Sequence, residues 1–406
     1  MLKIKLQRGH IMIKRFLAEA LKKAAAQYPV IALTGPRQSG KTTLCLDLFK
    51  GYAYVNLEKP DVRNFAIEDP NGFLAQFKNP VILDEIQRVP QLFSYLMPIV
   101  DAEKTPGRFI LTGSQNFLLM EAVSQSLAGR CAVFHLLPFS LRELAGYAPM
   151  DVFAFSEQKT EKKPDNLELN QIMQRGFYPP VHDRGYSPFD WLGQYTQTYL
   201  ERDVRNLINI GDLETFERFL RLCAGRSGQI LNYSSLAADC GISMVTVKRW
   251  LSVLKASFIV MTLQPYYQNF NKRIIKSPKL YFIDTGLLCY LLGIRTSGEL
   301  VSHSSRGAIF ETLVVAELAK ECFNMGTEPP LYYWRDSSGH EIDIVIGNGE
   351  KLYPVEIKSG ATIASDMFNG LKLWQEMTSI KSGALIYGGE ESYIRQGFKV
   401  LPWFNI

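Results

Sequence analysis

Short uninterrupted apolar runs alternate with amphipathic stretches over the first 140 residues. Ile13, Phe16, Leu17, Ala20 and Leu21 fall on one helical face and predict a helix over 12–27. Pro29-Val30-Ile31-Ala32-Leu33-Thr34 reads as a buried strand, followed by a helix from Thr43 to Phe49. A second strand is expected over Tyr52–Glu58. A helical stretch then starts at Pro60-Asp61 and ends near Asp69-Pro70, and a short helix spans Asn71–Lys78. Val81–Leu83, Gly107–Asn116 and Cys131–Leu136 supply three more strands. Apolar strands separated by helices predict a parallel sheet covered on both faces.

The pattern then changes. Residues 151–190 are polar around Glu157–Asn166 and read as an exposed loop and domain boundary, with a loop-like Arg175–Val181. Helices follow over 191–206 and 213–224. Ser234–Leu251 reads as helix, Gly-Ile-Ser turn, helix, with Ser243 as N-cap of the second. Apolar runs holding Leu263 and Leu280, separated by Asn271–Lys276, predict a hairpin wing with a basic tip and complete a winged helix. Gly307–Leu318 is an amphipathic helix. A strand ends at Trp334-Arg335, and Glu341–Ile346 and Tyr353–Lys358 read as a hairpin. The expected divisions are 12–150, 151–190, 191–295 and 300–406.

Composition narrows the class. The 406 residues are 47% hydrophobic and 21% charged, which suits a globular protein of two or three domains. No eighteen-residue apolar run occurs, so no membrane span is expected. Residues 1–10 lack the apolar stretch of a signal peptide, and Met12 stands as an alternative start to Met1. Six scattered cysteines and five histidines argue against zinc and for a reducing cytoplasm. The net charge of +5 is compatible with nucleic acid without establishing it.

The chemistry centres on Gly35-Pro36-Arg37-Gln38-Ser39-Gly40-Lys41-Thr42, a G-x-x-x-x-G-K-[ST] sequence between a strand and a helix. Its glycines let successive N–H groups face phosphate. Lys41 adds a cation, the Thr42 hydroxyl can ligate Mg²⁺, and Thr43 completes the nucleotide-facing set. Val81-Ile82-Leu83-Asp84-Glu85 ends a strand in two carboxylates, where open α/β sheets bind ligands. Asp84 is expected in the Mg²⁺ shell, with Glu85 polarising the attacking water. Ser114, Gln115 and Asn116 end the neighbouring strand and are candidates for contacting the γ-phosphate or its water, Ser114 and Gln115 above all. Arg130 is a candidate arginine finger in its own subunit or a neighbour's, or else a structural arginine. In the basic-tipped winged helix, Lys248 and Arg249 can face phosphate.

Near the C-terminus, residues i and i+2 of a strand share a face, so Glu341 pairs with Asp343 and Glu356 with Lys358. In a hairpin, Asp343, Glu356 and Lys358 converge. Two carboxylates can then hold Mg²⁺ beside a lysine that activates water, with Glu311 completing the metal site. A surface ion pair, or such a fold without activity, reads the same residues.

Gly35–Thr42, Val81–Glu85, Leu111–Asn116, Ser126–Arg130 with Pro138–Glu143, and Lys276–Leu288 together resemble the bacterial and archaeal AAA-type ATPases of the DUF4143 family. The resemblance continues through Gly307–Leu318, Trp334-Arg335, Glu341–Asp343 and Glu356–Lys358. It implies an AAA+/ASCE-type parallel-sheet domain, a winged-helix segment and an α/β C-terminal domain similar to PD-(D/E)XK (restriction-endonuclease-like) nucleases. Lys41, Thr42, Asp84 and Glu85 match the family's nucleotide and Mg²⁺ positions, and Asp343, Glu356 and Lys358 its nuclease-type triad. The expected function is Mg²⁺-dependent ATP hydrolysis coupled to DNA. A metal-dependent nuclease gated by ATP, and an ATP-dependent switch acting on a protein partner, are the alternatives. Candidate partners are ATP, double-stranded DNA, a second copy of the chain or another protein.

Overall fold

The computed structural model describes residues 5–7, 10–114, 126–157, 160–199, 213–266, 277–349 and 351–406. Strands β1 (Lys5–Gln7) and β2 (His10–Met12) form a small antiparallel pair. Helix α1 runs only over Leu17–Ala25, because 10–12 is committed to that pair.

A five-stranded sheet follows. Its strands are β3 (Val30–Thr34), β4 (Ala53–Asn56), β5 (Val81–Asp84), β6 (Phe109–Gly113) and β7 (Cys131–His135), in spatial order β4-β5-β6-β3-β7, all parallel. Alternation along each strand divides the core into two layers. Ile31, Leu33, Ile82 and Ile110 pack under α1 and α2 (Lys41–Leu48). Val30, Ala32, Val81, Leu83, Phe109 and Leu111 face the other way. Over them lie α3 (Pro60–Glu68), α4 (Pro70–Ala75) and α5 (Leu92–Glu103). The strand bearing Ser114 at its end therefore stands between the phosphate-loop strand and the Asp84 strand.

Beyond the sheet, α6 (Leu141–Ala145) begins in a capping box between Ser140 and Glu143. The stretch 151–190 departs from the exposed loop expected of it. It holds α7 (Leu169–Arg175), α8 (Pro179–Asp183) and the start of α9 (Pro188–Tyr199), with Phe155, Phe177 and Tyr178 buried. Its glycine and prolines are helix ends, not loop signals: Gly176 follows α7 at positive φ, and Pro179 and Pro180 fill the first turn of α8. A Cβ on Gly176 would strike Gly286 and the Asp284 carboxylate. That close approach lets Asp284 accept the Phe177 N–H at 2.7 Å while capping the helix after it.

The middle region continues with α10 (Leu213–Ala224), α11 (Tyr233–Cys240) and α12 (Met244–Ala256). Gly241 ends α11 in the left-handed region, and Ser243 caps α12 by accepting the Thr246 N–H at 3.1 Å. The hairpin strands β8 (Val260–Pro265) and β9 (Lys279–Phe282) are antiparallel as expected. Their basic tip, Asn271–Lys276, lies outside the described residues. The hairpin does not stand apart as a wing: β8 pairs in parallel with β10 (Leu331–Arg335).

Helices α13 (Thr285–Leu291), α14 (Ser297–Ser302) and α15 (Arg306–Asn324) precede β10. β11 (Glu341–Asn348) and β12 (Lys351–Lys358) form the anticipated hairpin. Helix α16 (Asn369–Thr378) and strands β13 (Ala384–Tyr387), β14 (Tyr393–Arg395) and β15 (Phe398–Pro402) complete a mixed eight-stranded sheet, ordered β14-β15-β13-β12-β11-β10-β8-β9. The expected amphipathic helix is α15, which is longer and buried along most of its length, including Glu317, Lys320 and Glu321. Those three side chains serve backbone groups at the end of the first domain. Glu317 Oε2 accepts the Leu141 N–H at 2.5 Å, Lys320 Nζ donates to the Phe139 carbonyl at 3.1 Å, and Glu321 Oε2 accepts the Met150 N–H at 3.0 Å.

Candidate nucleotide site and C-terminal carboxylate cluster

The phosphate loop leaves the C-terminal edge of the parallel sheet. Gly35 has φ +150°, and a Cβ there would collide with the Leu136 carbonyl. Gly40, at φ +93°, turns the chain into α2, so Lys41 and Thr42 open the helix. Lys41 is buried, and its Nζ donates to the Gly35 and Pro36 carbonyls at 3.0 and 2.9 Å. Thr42 Oγ1 lies 3.2 and 3.1 Å from the two Asp84 oxygens. Asp84 also accepts from Tyr54 Oη at 2.7 Å and from the Thr112 hydroxyl. Burial and the bond to Asp84 hold the Tyr54 phenol well above its ordinary pKa, so it stays a donor. A carboxylate and a hydroxyl in contact at a helix start are hard oxygen donors that fit Mg²⁺.

Glu85 adopts φ +58°, rare for a residue with a side chain. Its Oε2 accepts from Ser114 Oγ at 3.2 Å and from Gln87 Nε2. Pro36 and Ser39 are buried, Arg37 is half-buried, and Gln38 is exposed at φ +60°. Thr43 is exposed on the rim of a cavity of about 270 Å³, walled by Ala18, Leu44 and Leu48 beside Gly40. Gln115 and Asn116 lie outside the described residues.

Of the roles open to Arg130, its place in the sheet removes the finger in its own subunit. The Val30 N–H donates to the Arg130 carbonyl at 3.3 Å, which puts Arg130 at the N-terminal edge of the sheet. A whole strand, rising about 3.3 Å per residue, separates it from the loop. Its guanidinium pairs with Asp101 at 2.5 and 3.0 Å. It cannot serve the phosphate of its own subunit.

At the other end of the molecule, Asp343, Glu356 and Lys358 do meet. Lys358 Nζ is 2.9 Å from Glu356 Oε2 and 3.5 Å from Asp343 Oδ2, which also accepts the Ile357 N–H at 2.8 Å. Burial would raise Asp343, but the Lys358 and Lys279 charges more than offset it and hold it below the usual carboxylate range. Burial and the Asp343 charge push Glu356 well up. Glu311 stands differently from expectation. Its Oε1 accepts from Lys279 Nζ at 3.0 Å and Tyr281 Oη at 2.6 Å, and Lys279 also pairs with Glu341. Burial raises Glu311 in spite of that lysine. Glu311 is thus answered by the Lys279 ammonium, while Asp343 and Glu356 converge on Lys358.

On α12, Met244, Val245, Lys248, Arg249, Ser252 and Lys255 are exposed along one face, and Lys248 Nζ lies 5.6 Å from the Tyr233 ring centre.

Comparisons with known proteins agree with this architecture. The family description "AAA domain" matches residues 27–145, and two domains of unknown function match further stretches: DUF8612 over 166–298 and DUF4143 over 306–406. The uncharacterized proteins Rv2008c of Mycobacterium tuberculosis and Mb2031c of Mycobacterium bovis are each 30% identical over 385 residues, spanning 94% of this chain and 81% of theirs. The chain belongs to the AAA-type ATPases that carry a DUF4143 domain. Among solved structures it is similar to the Walker-type ATPase PABY2304 of Pyrococcus abyssi. Identity is 16% and the TM-score 0.45, over 72% of this chain and 99% of that one. The Thermotoga maritima RuvB Holliday junction branch migration motor is 17% identical with a TM-score of 0.30, over 60% and 86%.

In this DUF4143-family ATPase, several polar residues of the two centres carry no motif. Tyr54 and Thr112 come from neighbouring strands and hold Asp84. Gln87 sits two residues past Glu85, Lys279 and Tyr281 come from the hairpin, and Arg15 precedes α1. Only a lysine and tyrosine in an otherwise apolar strand, Lys279-Leu280-Tyr281-Phe282, hinted that polar groups were needed inside. No helix among the described residues is long and apolar enough to cross a membrane.

Proposed function

We propose that this protein binds and hydrolyses ATP with Mg²⁺ and couples that cycle to DNA. The observation that carries the reading is Thr42 against Asp84, with Glu85 turned onto Ser114, at the mouth of a glycine loop that ends in Lys41. Thr42 and Asp84 would hold the ion, which when bound draws charge from the phosphate oxygens. Lys41 exchanges its two loop carbonyls for phosphate. Glu85, steered by Gln87 and Ser114, orients the attacking water, and the apolar cavity beside Gly40 seats the base. Arg130, paired at the far edge, is open only to a neighbouring copy's phosphate. Six unpaired thiols suit a reducing cytoplasm.

The exposed basic face of α12 supports contact with a DNA backbone, the winged-helix role expected of this segment. The decisive experiment is ATP hydrolysis with and without double-stranded DNA, beside Glu85→Gln. DNA-stimulated turnover absent from the variant is the expected result. Binding without turnover in either condition would replace this reading by an ATP-dependent switch on a protein partner. A backbone contact should also weaken steeply as salt rises.

A second reading rests on the convergence of Asp343, Glu356 and Lys358: metal-dependent phosphodiester cleavage gated by ATP. It predicts Mg²⁺- or Mn²⁺-dependent cutting that vanishes in Asp343→Ala and in Lys358→Ala. Cutting that persists in both would exclude it.

A further inference from the structure

The phosphate loop is tied to the rest of the molecule by one buried arginine. Arg15 Nη1 donates to the Ser39 carbonyl at 2.8 Å, Nη2 to the Leu137 carbonyl at 2.6 Å, and Nε to Glu143 Oε1 at 3.2 Å. Its guanidinium carbon lies 4.9 Å from the Phe139 ring centre. Glu143 is fully engaged as well. It accepts the Phe16 N–H at 2.8 Å and the Ser140 N–H at 3.0 Å. The next residue of that turn, Leu141, donates its N–H to Glu317 on α15, and Lys320 bridges Glu317 Oε1 at 2.7 Å to the Phe139 carbonyl. Six residues earlier on the same helix is Glu311, about 9 Å away at 1.5 Å per residue. A line of buried polar contacts thus runs from the loop to Glu317, and α15 itself spans the remaining distance to Glu311.

The first contact has a specific consequence. The Ser39 carbonyl and the Gly40 N–H belong to one planar trans peptide, so fixing the oxygen fixes the opposite direction of the N–H. Gly40 N–H is one of the loop donors available to phosphate. We propose that Arg15 is a positioning residue for nucleotide, aiming the Gly40 N–H, and that it carries the loop's setting to α15 through Glu143 and the 139–141 segment. The proposal rests on the ATP reading given above. A lysine at position 15 keeps the charge but cannot span the same three acceptors, because only the planar guanidinium presents a fork of donors.

The test uses the full chain, calorimetric titration with Mg-ATP, and backbone hydrogen exchange over 306–318 with and without saturating Mg-ATP. Arg15→Lys should weaken ATP binding about tenfold, within the range of ordinary coupling energies. In the wild type, ATP should change exchange over 306–318, and in Arg15→Lys at saturation it should not. Glu317→Gln retains an acceptor for the Leu141 N–H. It should shift ATP affinity about fivefold in the wild type and not at all in the Arg15→Lys background, since coupling is reciprocal and confined to connected groups. A thermal melt of nucleotide-free protein runs alongside. A merely structural arginine would lower the melting temperature while the folded protein kept its affinity and its exchange response. Unchanged affinity in Arg15→Lys overturns the proposal, as does an exchange response that persists there or is missing from ATP-bound wild type. Wild type that fails to bind Mg-ATP would instead remove the nucleotide reading, before any variant is compared.

Discussion

The two centres of the molecule use the same residue types in opposite states. Each sets buried or half-buried carboxylates near a lysine. At the phosphate loop, Lys41 rests on neutral carbonyls and Asp84 is ringed by the hydroxyls of Thr42, Tyr54 and Thr112. There the carboxylate is met by hydroxyls and the lysine by main-chain oxygens of its own loop. At the C-terminal cluster every carboxylate already faces an ammonium: Glu311 and Glu341 share Lys279, and Asp343 and Glu356 share Lys358. The difference teaches that one set of residue types can be built into a fold either on neutral partners or on direct ion pairs.

The sharpest way to break the comparison is at Glu85. Glu85→Gln should reduce ATP turnover by about 10²–10⁴, the usual contribution of a positioned proton acceptor, while Mg-ATP still binds. Turnover near the wild-type rate in a steady-state assay would remove Glu85 from the chemistry. Lys41→Ala should abolish measurable ATP binding in a calorimetric titration and leave the urea midpoint nearly unchanged. Lys279→Met should do the reverse. It strands Glu311 inside the protein, while Glu341 keeps Arg335, and should cost about 3–5 kcal/mol of unfolding free energy, with ATP affinity altered far less. If Lys279→Met proved harmless in urea unfolding, the cluster would be less self-neutralised than its geometry implies.

The smallest effects are in pH. Burial pushes Glu321 to about 7, against 4.5 for the exposed group. Between those values the unfolded chain loses its proton and the folded protein keeps it, so stability falls as pH rises and the cost is complete above pH 7. Glu321→Gln should therefore stabilise the protein at pH 8, by up to about 3 kcal/mol, and hardly at pH 4.5. Burial lowers His135 and His182 to about 4, from 6.5. Their neutral forms favour the fold above pH 6.5, and that contribution is lost as pH falls from 6.5 through 4. Urea unfolding at pH 4.5, 6.5 and 8 separates the two signs.

The first domain was largely legible in the sequence, because strands buried on both faces are continuous apolar runs and the loop has fixed spacing. The hairpin holding Asp343, Glu356 and Lys358 was equally plain from strand alternation. What escaped was non-local. The 151–190 stretch looked exposed because of its polar run Glu157–Asn166, and Arg175–Val181 looked loop-like, although Gly176 and Pro179-Pro180 are the cap and first turn of successive helices. Arg130 looked available because its position along the sheet follows from strand direction, not from nearby residues. Glu311 looked like a ligand because its partner Lys279 is thirty-two positions away. Arg15 gave no sign, since an arginine before a helix ordinarily lies in solvent.

The fusion of β8 and β9 to the C-terminal sheet bears on how this chain can be divided. A fragment beginning at residue 300 would contain the whole Asp343 hairpin yet lack β8, which pairs with β10, and β9 beyond it. Its Leu331–Arg335 backbone, which includes Tyr333 and Trp334, would then present an open row of donors and acceptors to any other chain. Such an edge is a template for self-association. The last hundred residues are thus not a portable cassette: cut free, they should precipitate or pair with copies of themselves, and the shortest separable piece must start before β8.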